Sequence, residues 1–549
     1  MSNKAIITSA LPYANGEIHL GHVASTYLPA DITARYLKLK GVEAYYICAS
    51  DDFGTPILLQ AEKENKSPEE YVKFWNKRDY DDFTAFGIKF DFFYKTSSPE
   101  NIQFVQEVFK KLQKNNHIYE KEIVQFYCKF DKKFLPDRYV IGTCPYCKAE
   151  DQYSDLCEKC GRVPEEIDTP RCSICKNPPV KEKTKHYFFK LTNFVNSLNE
   201  WLEQSSHLQK DVKKYVQNWI QDGLVDWDIT RDITWGVQIP LEQAKGQVFY
   251  GWFDNHLAYI STAIKFLNDK GLDGKAFWNS ADIYHFIGKD IVYHHYLFLP
   301  AMRLGIEKEY KLPDYIPTRG HLMLQSKKIS KSRNWYIGLK EFLTLYPADY
   351  LRFYLALITP YSQDDLNFDW DEFATRINSE LIGNLGNFVN RALGFTQKSF
   401  AGVVPSTEEF DDIDKDAENK IKNLSSAIGE LLDQNQIDRA LKKILEFSAH
   451  FNQYFQHKEP WKKGKGTNNC VYLSVNAARS IAIALSSFLP ESAEKIWTQL
   501  NLKGKVEEQK WDSISEFGIE PNYTLGTVSP LFKKVEESEI NLHKAKLGV

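Results

Sequence analysis

No stretch of this 549-residue chain is apolar enough, for long enough, to cross a bilayer. The longest apolar runs, such as residues 481–489, fall well short of the ~20 residues that a spanning helix needs. The N-terminus lacks a basic region followed by a long apolar one, so nothing marks a secretory leader, and a cytoplasmic protein with no membrane partner is expected. An excess of positive charge is missing too: 69 Lys and Arg stand against 73 Asp and Glu, a net charge of -4. A protein that grips nucleic acid usually shows a basic surface, so any such face must be local. Lys121, Lys129, Lys132 and Lys133 form one candidate and Lys458, Lys462, Lys463 and Lys465 another, although charge runs are most often solvated faces.

Two short motifs, far apart, carry the strongest chemical signal: His19-Leu20-Gly21-His22 and Lys328-Ile329-Ser330-Lys331-Ser332. The first follows an apolar run, residues 5–10, and a turn-rich stretch. It opens a segment in which Val23, Tyr27, Leu28, Ile32, Tyr36 and Leu37 recur at helical spacing, which reads as strand, loop, helix. His19 and His22 then face one ligand at a helix start, where free amides favour anions and Gly21 keeps no side chain in the way. The alternative is one capping and one solvated imidazole. The second motif places Lys328 and Lys331 around small hydroxyl residues, which suits a mobile loop carrying point charges to phosphate, or else a solvated basic loop. Together they point to ATP.

The nine cysteines argue for metal rather than disulfides in a cytosolic chain. Cys144 with Cys147 and Cys157 with Cys160 supply a tetrahedral, structural Zn2+, and Gly161 follows directly, as in zinc knuckles. The third pair, Cys172 with Cys175, finds its nearest partners in Cys128 and Asp131, which would make a second site of three thiolates and one carboxylate. The alternative leaves Cys128 as core and the third pair without metal. Closed tetrahedra leave no position for substrate. Cys48 and Cys470 read as core.

The fold class is α/β: a doubly wound parallel sheet (Rossmann-like) split by a zinc-binding insertion and followed by an α-helical bundle. Residues 5–10 and 43–49 before the cysteines, and 247–252 and 282–287 after them, read as buried parallel strands. Beyond about residue 369 strand signals stop, and long amphipathic stretches at 414–432 and 436–456 suit a bundle. The expected division is 1–115 and 227–320 for the halves of the nucleotide fold, 116–226 for the insertion, 321–368 for the lysine-bearing loop and linker, 369–519 for the bundle, and 520–549 for a C-terminal arm. Ligands of such sheets bind beyond the strand carboxyl ends, where Asp51 lies. Its carboxylate either holds a substrate ammonium or caps the helix after Gly54.

The two motifs resemble the signatures of class I aminoacyl-tRNA synthetases, and residues 8–16 (Thr-Ser-Ala-Leu-Pro-Tyr-Ala-Asn-Gly) are similar to the version in the methionyl-tRNA synthetase family. Further similar stretches follow in the expected order: Asp51-Asp52-Phe53-Gly54-Thr55-Pro56, Phe134-Leu135-Pro136-Asp137-Arg138-Tyr139, Phe286-Ile287-Gly288-Lys289-Asp290 and Glu459-Pro460-Trp461. The resemblance implies ATP with Mg2+ at His19, His22, Lys328 and Lys331. It implies an L-methionine pocket of Leu11, Tyr13, Trp252, Tyr259, Ile291 and His295, with Asp51 at the α-amino group. It also implies recognition of the tRNA(Met) anticodon by Asn387, Arg391, Pro460 and Trp461.

Aromatic faces suit a thioether, and an exposed indole suits splayed bases; the alternatives are core packing and a sealed bundle. The chain departs from a familiar bacterial pattern at Asn255-His256, where that pattern has Ala-Pro, and at His294, where it has Phe. The large editing insertion of the leucine, isoleucine and valine enzymes is missing. No tRNA-binding or dimerising module follows the bundle, so a monomer is expected. Two rival readings are a cysteine-specific class I enzyme, which would place its zinc near the substrate, and a non-catalytic RNA-binding zinc protein, which would not need both nucleotide motifs.

Overall fold

In a computed structural model the chain is described at residues 2–548 apart from 155, 156, 158, 161 and 163, so Gly161 lies outside the described residues. Five parallel strands form the central sheet: β1 (Lys4–Ser9), β2 (Glu43–Ser50), β3 (Phe92–Lys95), β4 (Asp282–Gly288) and β5 (Thr318–Arg319), in the order β5-β4-β1-β2-β3. β1 runs at the centre, with the next strand in sequence on one side and β4 on the other. The crevice beyond its carboxyl end is therefore a topological switch point, where such sheets bind ligands.

The strands are apolar on both faces because both are covered. Ala5 and Ile7 of β1, with Tyr46, Cys48, Tyr284 and Phe286, point into a core shared with the helical bundle, while Ile6, Ile47, Ile283 and Ile287 point into a core shared with the insertion. One stretch expected in this sheet lies elsewhere. Residues 247–252 supply only Val248–Phe249, paired antiparallel with Thr230–Arg231, because helix Gly251–Asp269 begins at once behind Tyr250.

The insertion is a long antiparallel pair, Ile118–Cys128 against Val180–Phe189, carrying a small sheet in which Val140–Thr143 lies between Gln152–Tyr153 and Asp168–Cys172. The last part of the chain is helical. Its two amphipathic stretches form Asp412–Lys422 and Leu424–Asp433, separated at Asn423, and the single helix Ile437–Lys458.

Arg352 joins the parts from helix Ala348–Ile358. Fully buried, it pairs with Asp31 at 2.7 Å and donates to the carbonyls of Gly87 and Phe488. The terminal helix Glu537–Ala545 returns to the lysine-bearing loop, where Gly548 N–H donates to Asn334 O at 2.9 Å.

Candidate functional site

A cavity of about 670 Å³ opens beyond β1 and β2. His19 caps the helix that follows β1. Its Nδ1 accepts from Gly21 N–H, and its own N–H donates to His22 Nδ1, both at 3.1 Å. The two rings stack at 3.7 Å. With both Nδ1 atoms accepting, each neutral ring carries its proton on Nε2. Burial and the Lys331 cation push His19 down to about 3, and burial with the His19 and Lys331 charges holds His22 well below its ordinary value, so both act as neutral donors at pH 7.

A widened π turn, Val23–Tyr27, follows at once, a feature often found beside functional sites. Gly21 is tightly packed: a Cβ there would lie 3.0 Å from both His19 Cε1 and Ile329 Cδ1, so a larger residue would need these side chains to shift. The two distant motifs thus touch.

Lys331 sits in a tight turn closed by reciprocal Ser330–Trp335 backbone bonds, with Asn334 left-handed at φ 47°. Its Nζ donates to Glu17 O at 2.8 Å and lines the cavity with His22 and Gly21. Lys328 stays on the exposed strand Lys327–Lys328, away from it.

Asp51 backs onto the loop after β1 through Ala14 N–H to Asp51 O and Asp51 N–H to Pro12 O. Asn255 Nδ2 donates to Asp51 Oδ2 at 3.2 Å, while Oδ1 is buried with no partner. Neither oxygen accepts from a backbone N–H of the next helix, Thr55–Lys63, so Asp51 does not cap it. Burial raises Asp51 to about 7, and burial together with Asp51 raises its neighbour Asp254 well above the carboxylate range. An unpaired carboxylate in a dry wall is a receptor for a cation.

Leu11, Tyr13, Trp252, Tyr259 and Ile291 line the same cavity. His295 stands behind: its Nδ1 donates to Ile291 O, so Nε2 accepts from Tyr259 Oη at 3.0 Å, and burial holds the ring neutral, down to about 4. Trp252 stacks on His294 at 3.9 Å, and His256 is fully buried with both ring nitrogens unpartnered. Of the departures from the bacterial pattern, His256 and His294 therefore stand behind the tryptophan, whereas Asn255 lines the cavity beside Asp51. Residues given no role beforehand complete the wall. Arg231 lies 3.9 Å over the Tyr250 ring, and Arg138 lies over Tyr153.

Both cysteine sets converge. Cys144–Cys160 and Cys147–Cys157 Sγ separations are 3.8 and 3.6 Å, close to the edge of about 3.8 Å expected for a tetrahedron with 2.3 Å Zn–S bonds. Although burial opposes the Cys144 thiolate, the Cys147 and Tyr146 backbone N–H groups outweigh it and hold the thiol at about 7. Cys128, Asp131, Cys172 and Cys175 form the second set, with Asp131 Oδ2 3.1 Å from both Cys128 and Cys172 Sγ. None of these side chains lines the cavity.

On the bundle, Asn387 and Arg391 lie one turn apart and bond to Asn452 Oδ1 and Gln456 Oε1, one turn apart on the neighbouring helix. Trp461 is 43% exposed beyond the left-handed Glu459, and Pro460 is buried. The face offers amide edges, a guanidinium and an open indole, which is the chemistry of single-stranded base recognition. Among the described residues no helix is long and apolar enough to cross a membrane.

Residues 5–393 match the family model described as tRNA synthetases class I (M), and residues 414–544 match that of the anticodon-binding domain of tRNA ligase. The chain is 41% identical to a methionine–tRNA ligase of Methanopyrus kandleri, over 99% of this chain and 82% of that protein. It is 42% identical to one of Thermococcus onnurineus, over 97% and 75%. The fold is similar to that of Mycobacterium tuberculosis methionyl-tRNA synthetase bound by methionyl-adenylate, with a TM-score of 0.80 at 22% identity over 96% of this chain and 100% of that one.

Proposed function

The chain belongs to the class I methionyl-tRNA synthetases, the methionine–tRNA ligases, and we propose that its 670 Å³ cavity is where ATP and L-methionine condense before the amino acid passes to tRNA(Met). One observation carries this reading: His22 and Lys331, from motifs more than three hundred residues apart, line one cavity with Asp51, Tyr13, Trp252 and Tyr259.

The methionine ammonium rests on the free Oδ1 of Asp51, and the thioether lies among Trp252, Tyr13, Leu11, Ile291 and Tyr259. Because the Tyr259 proton is committed to His295, its oxygen offers lone pairs inward rather than a donor. The carboxylate attacks the α-phosphate and pyrophosphate leaves. This carboxylate is already ionised, so no general base is needed, and catalysis is positioning plus charge stabilisation. The Nε2–H groups of His19 and His22 hold phosphate oxygens and nucleotide. Lys331 leaves Glu17 O to meet the triphosphate, and Lys328 follows if the loop closes. Mg2+ arrives with ATP as part of the substrate. The terminal ribose hydroxyl of tRNA then attacks the acyl-adenylate, displacing AMP.

Asn387, Arg391, Pro460 and Trp461 read the anticodon. Cys144, Cys147, Cys157 and Cys160 hold one structural Zn2+, and Cys128, Asp131, Cys172 and Cys175 a second, both fixing the insertion over residues 116–226. The same division assigns 1–115 and 227–320 to the catalytic fold, 321–368 to the loop, 369–519 to the bundle and 520–549 to the arm. The protein works as a cytoplasmic monomer. A zinc set away from the cavity disfavours the cysteine-specific reading. Pyrophosphate exchange with each amino acid in turn is the test: exchange with methionine alone supports the assignment, and exchange with cysteine, or with none, ends it.

A further inference from the structure

Helix Pro68–Ala85 turns one stripe toward Ser50 at the end of β2, Tyr94 of β3 and Tyr27 in the helical segment after β1. Val72, Asn76, Asp79 and Phe83 are spaced four, three and four apart, and so share a face. Three of them have evident partners. Val72 packs with Ala14, Ile57 and Ala61; Asn76 Nδ2 donates to Ser50 Oγ and Tyr94 O, each at 2.7 Å; and the Phe83 ring lies 4.4 Å from Tyr27. Asp79 is different. It is fully buried, yet neither carboxyl oxygen has a hydrogen-bond partner. A carboxyl left in this state is costly, and nothing in the packing of the helix calls for it.

The charged groups facing it come from three elements. On its own helix, Asp82 repels it and Arg78 attracts it; Asp52, at the end of β2, repels it; Lys331, on the catalytic loop, attracts it. Arg78 is already engaged by Asp82 at 2.9 Å and reaches Glu17 at 3.9 Å. Tyr27 and Cys48 are its other titratable neighbours, and burial keeps both un-ionised. Lys331 rests on a backbone carbonyl, Glu17 O, so close to Gly16 that a Cβ there would lie 3.1 Å from its Nζ, and the Glu17 carboxylate attracts it there alongside Asp79.

We propose that Asp79 is a positioning residue for Lys331: protonated, the buried carboxyl leaves the lysine free to extend to the triphosphate; ionised, it draws the lysine back onto the 15–17 loop. The inference rests on the proposed role of Lys331 in the activation step. Burial and the Asp82 charge raise Asp79 to about 8, so the change falls just above neutral pH.

The test is the KM for ATP in methionine-dependent pyrophosphate exchange by the full chain between pH 7.0 and 8.5. One ionisation near 8 that disables the ATP-engaging state raises KM by about fourfold over this range. Asp79→Asn, equal in shape and without the charge, is expected to abolish the rise, and the KM for methionine is not expected to follow it. Lys331→Gln is expected to remove the rise as well, which keeps the proposal testable should Asp79→Asn fail to fold.

A flat profile in the unaltered chain, a rise that survives either substitution, or an Asp79→Asn protein whose KM values for ATP and methionine shift together at every pH would overturn it. Absence of methionine-dependent exchange at pH 7.0 would instead refute the proposed activity, a result separate from any slope with pH.

Discussion

With the methionine ammonium placed on Asp51 as proposed, methionine binding becomes a proton-linked event whose size follows from the structure. The Asp51 carboxyl is raised to about 7 by burial, with Asn255 on one oxygen and nothing on the other, so about half the molecules carry a proton there at pH 7. A substrate ammonium requires the ionised form. Lowering the pH therefore withdraws the receptor, and the apparent KM for methionine is expected to fall about tenfold from pH 6 to pH 8. His19 and His295, at about 3 and about 4, do not titrate in this window. At pH 7, binding is expected to release about half a proton per methionine, measurable by calorimetry in buffers of different ionisation heat.

Asp51→Asn removes the charge while keeping the shape. Leaving a buried ammonium without its partner costs about 3 kcal/mol or more, so KM should rise more than a hundredfold and lose most of its pH dependence. A KM that is constant from pH 6 to 8, with no proton release, would refute the assignment of the ammonium to Asp51.

Three further outcomes are expected. Lys331→Ala should lower the rate of adenylate formation by about 10²- to 10³-fold while changing methionine affinity little; equal losses in both would remove the loop from the activation step. Trp461→Ala should weaken tRNA charging by about 1–3 kcal/mol and leave pyrophosphate exchange intact, whereas a matching loss of exchange would make the indole a packing residue. Arg352→Met should destabilise the fold by about 3 kcal/mol in denaturant unfolding, softened by the second Asp31 partner, Arg35, at 2.8 Å. Burial opposes the Asp31 charge, but Arg35 and Arg352 together hold its carboxyl below the ordinary value, so the stability it contributes is present above about pH 4 and is lost as the pH falls through the folded value.

The parts of the site that repeat or cluster in sequence were legible there. His19 and His22 sit at helical spacing behind a turn, and the cysteine pairs announce their own ligand geometry, including Asp131 beside Cys128. The parallel sheet was legible because strands covered on both faces become continuous apolar runs. Residues 247–252 misled for the same reason: an apolar run does not say whether its partner strand is parallel or where a following helix begins. Arg231 and Asp79 gave no signal, and Asn255 only a departure from a familiar pattern. Arg231 and Asn255 reach the cavity only through long-range packing, and Asp79 occupies a position on an amphipathic helix where an acidic residue ordinarily faces water. The π turn at Val23–Tyr27 is equally silent, since widening one helical turn needs no distinctive residue.

The account turns on one chemical event, which can be observed directly. The purified chain, given methionine and ATP with pyrophosphatase present and no tRNA, should retain close to one equivalent of methionyl-adenylate through gel filtration and release it as methionyl-tRNA when tRNA(Met) is added. Recovery of free chain together with ADP and phosphate, or of an adenylate that tRNA cannot discharge, would contradict it.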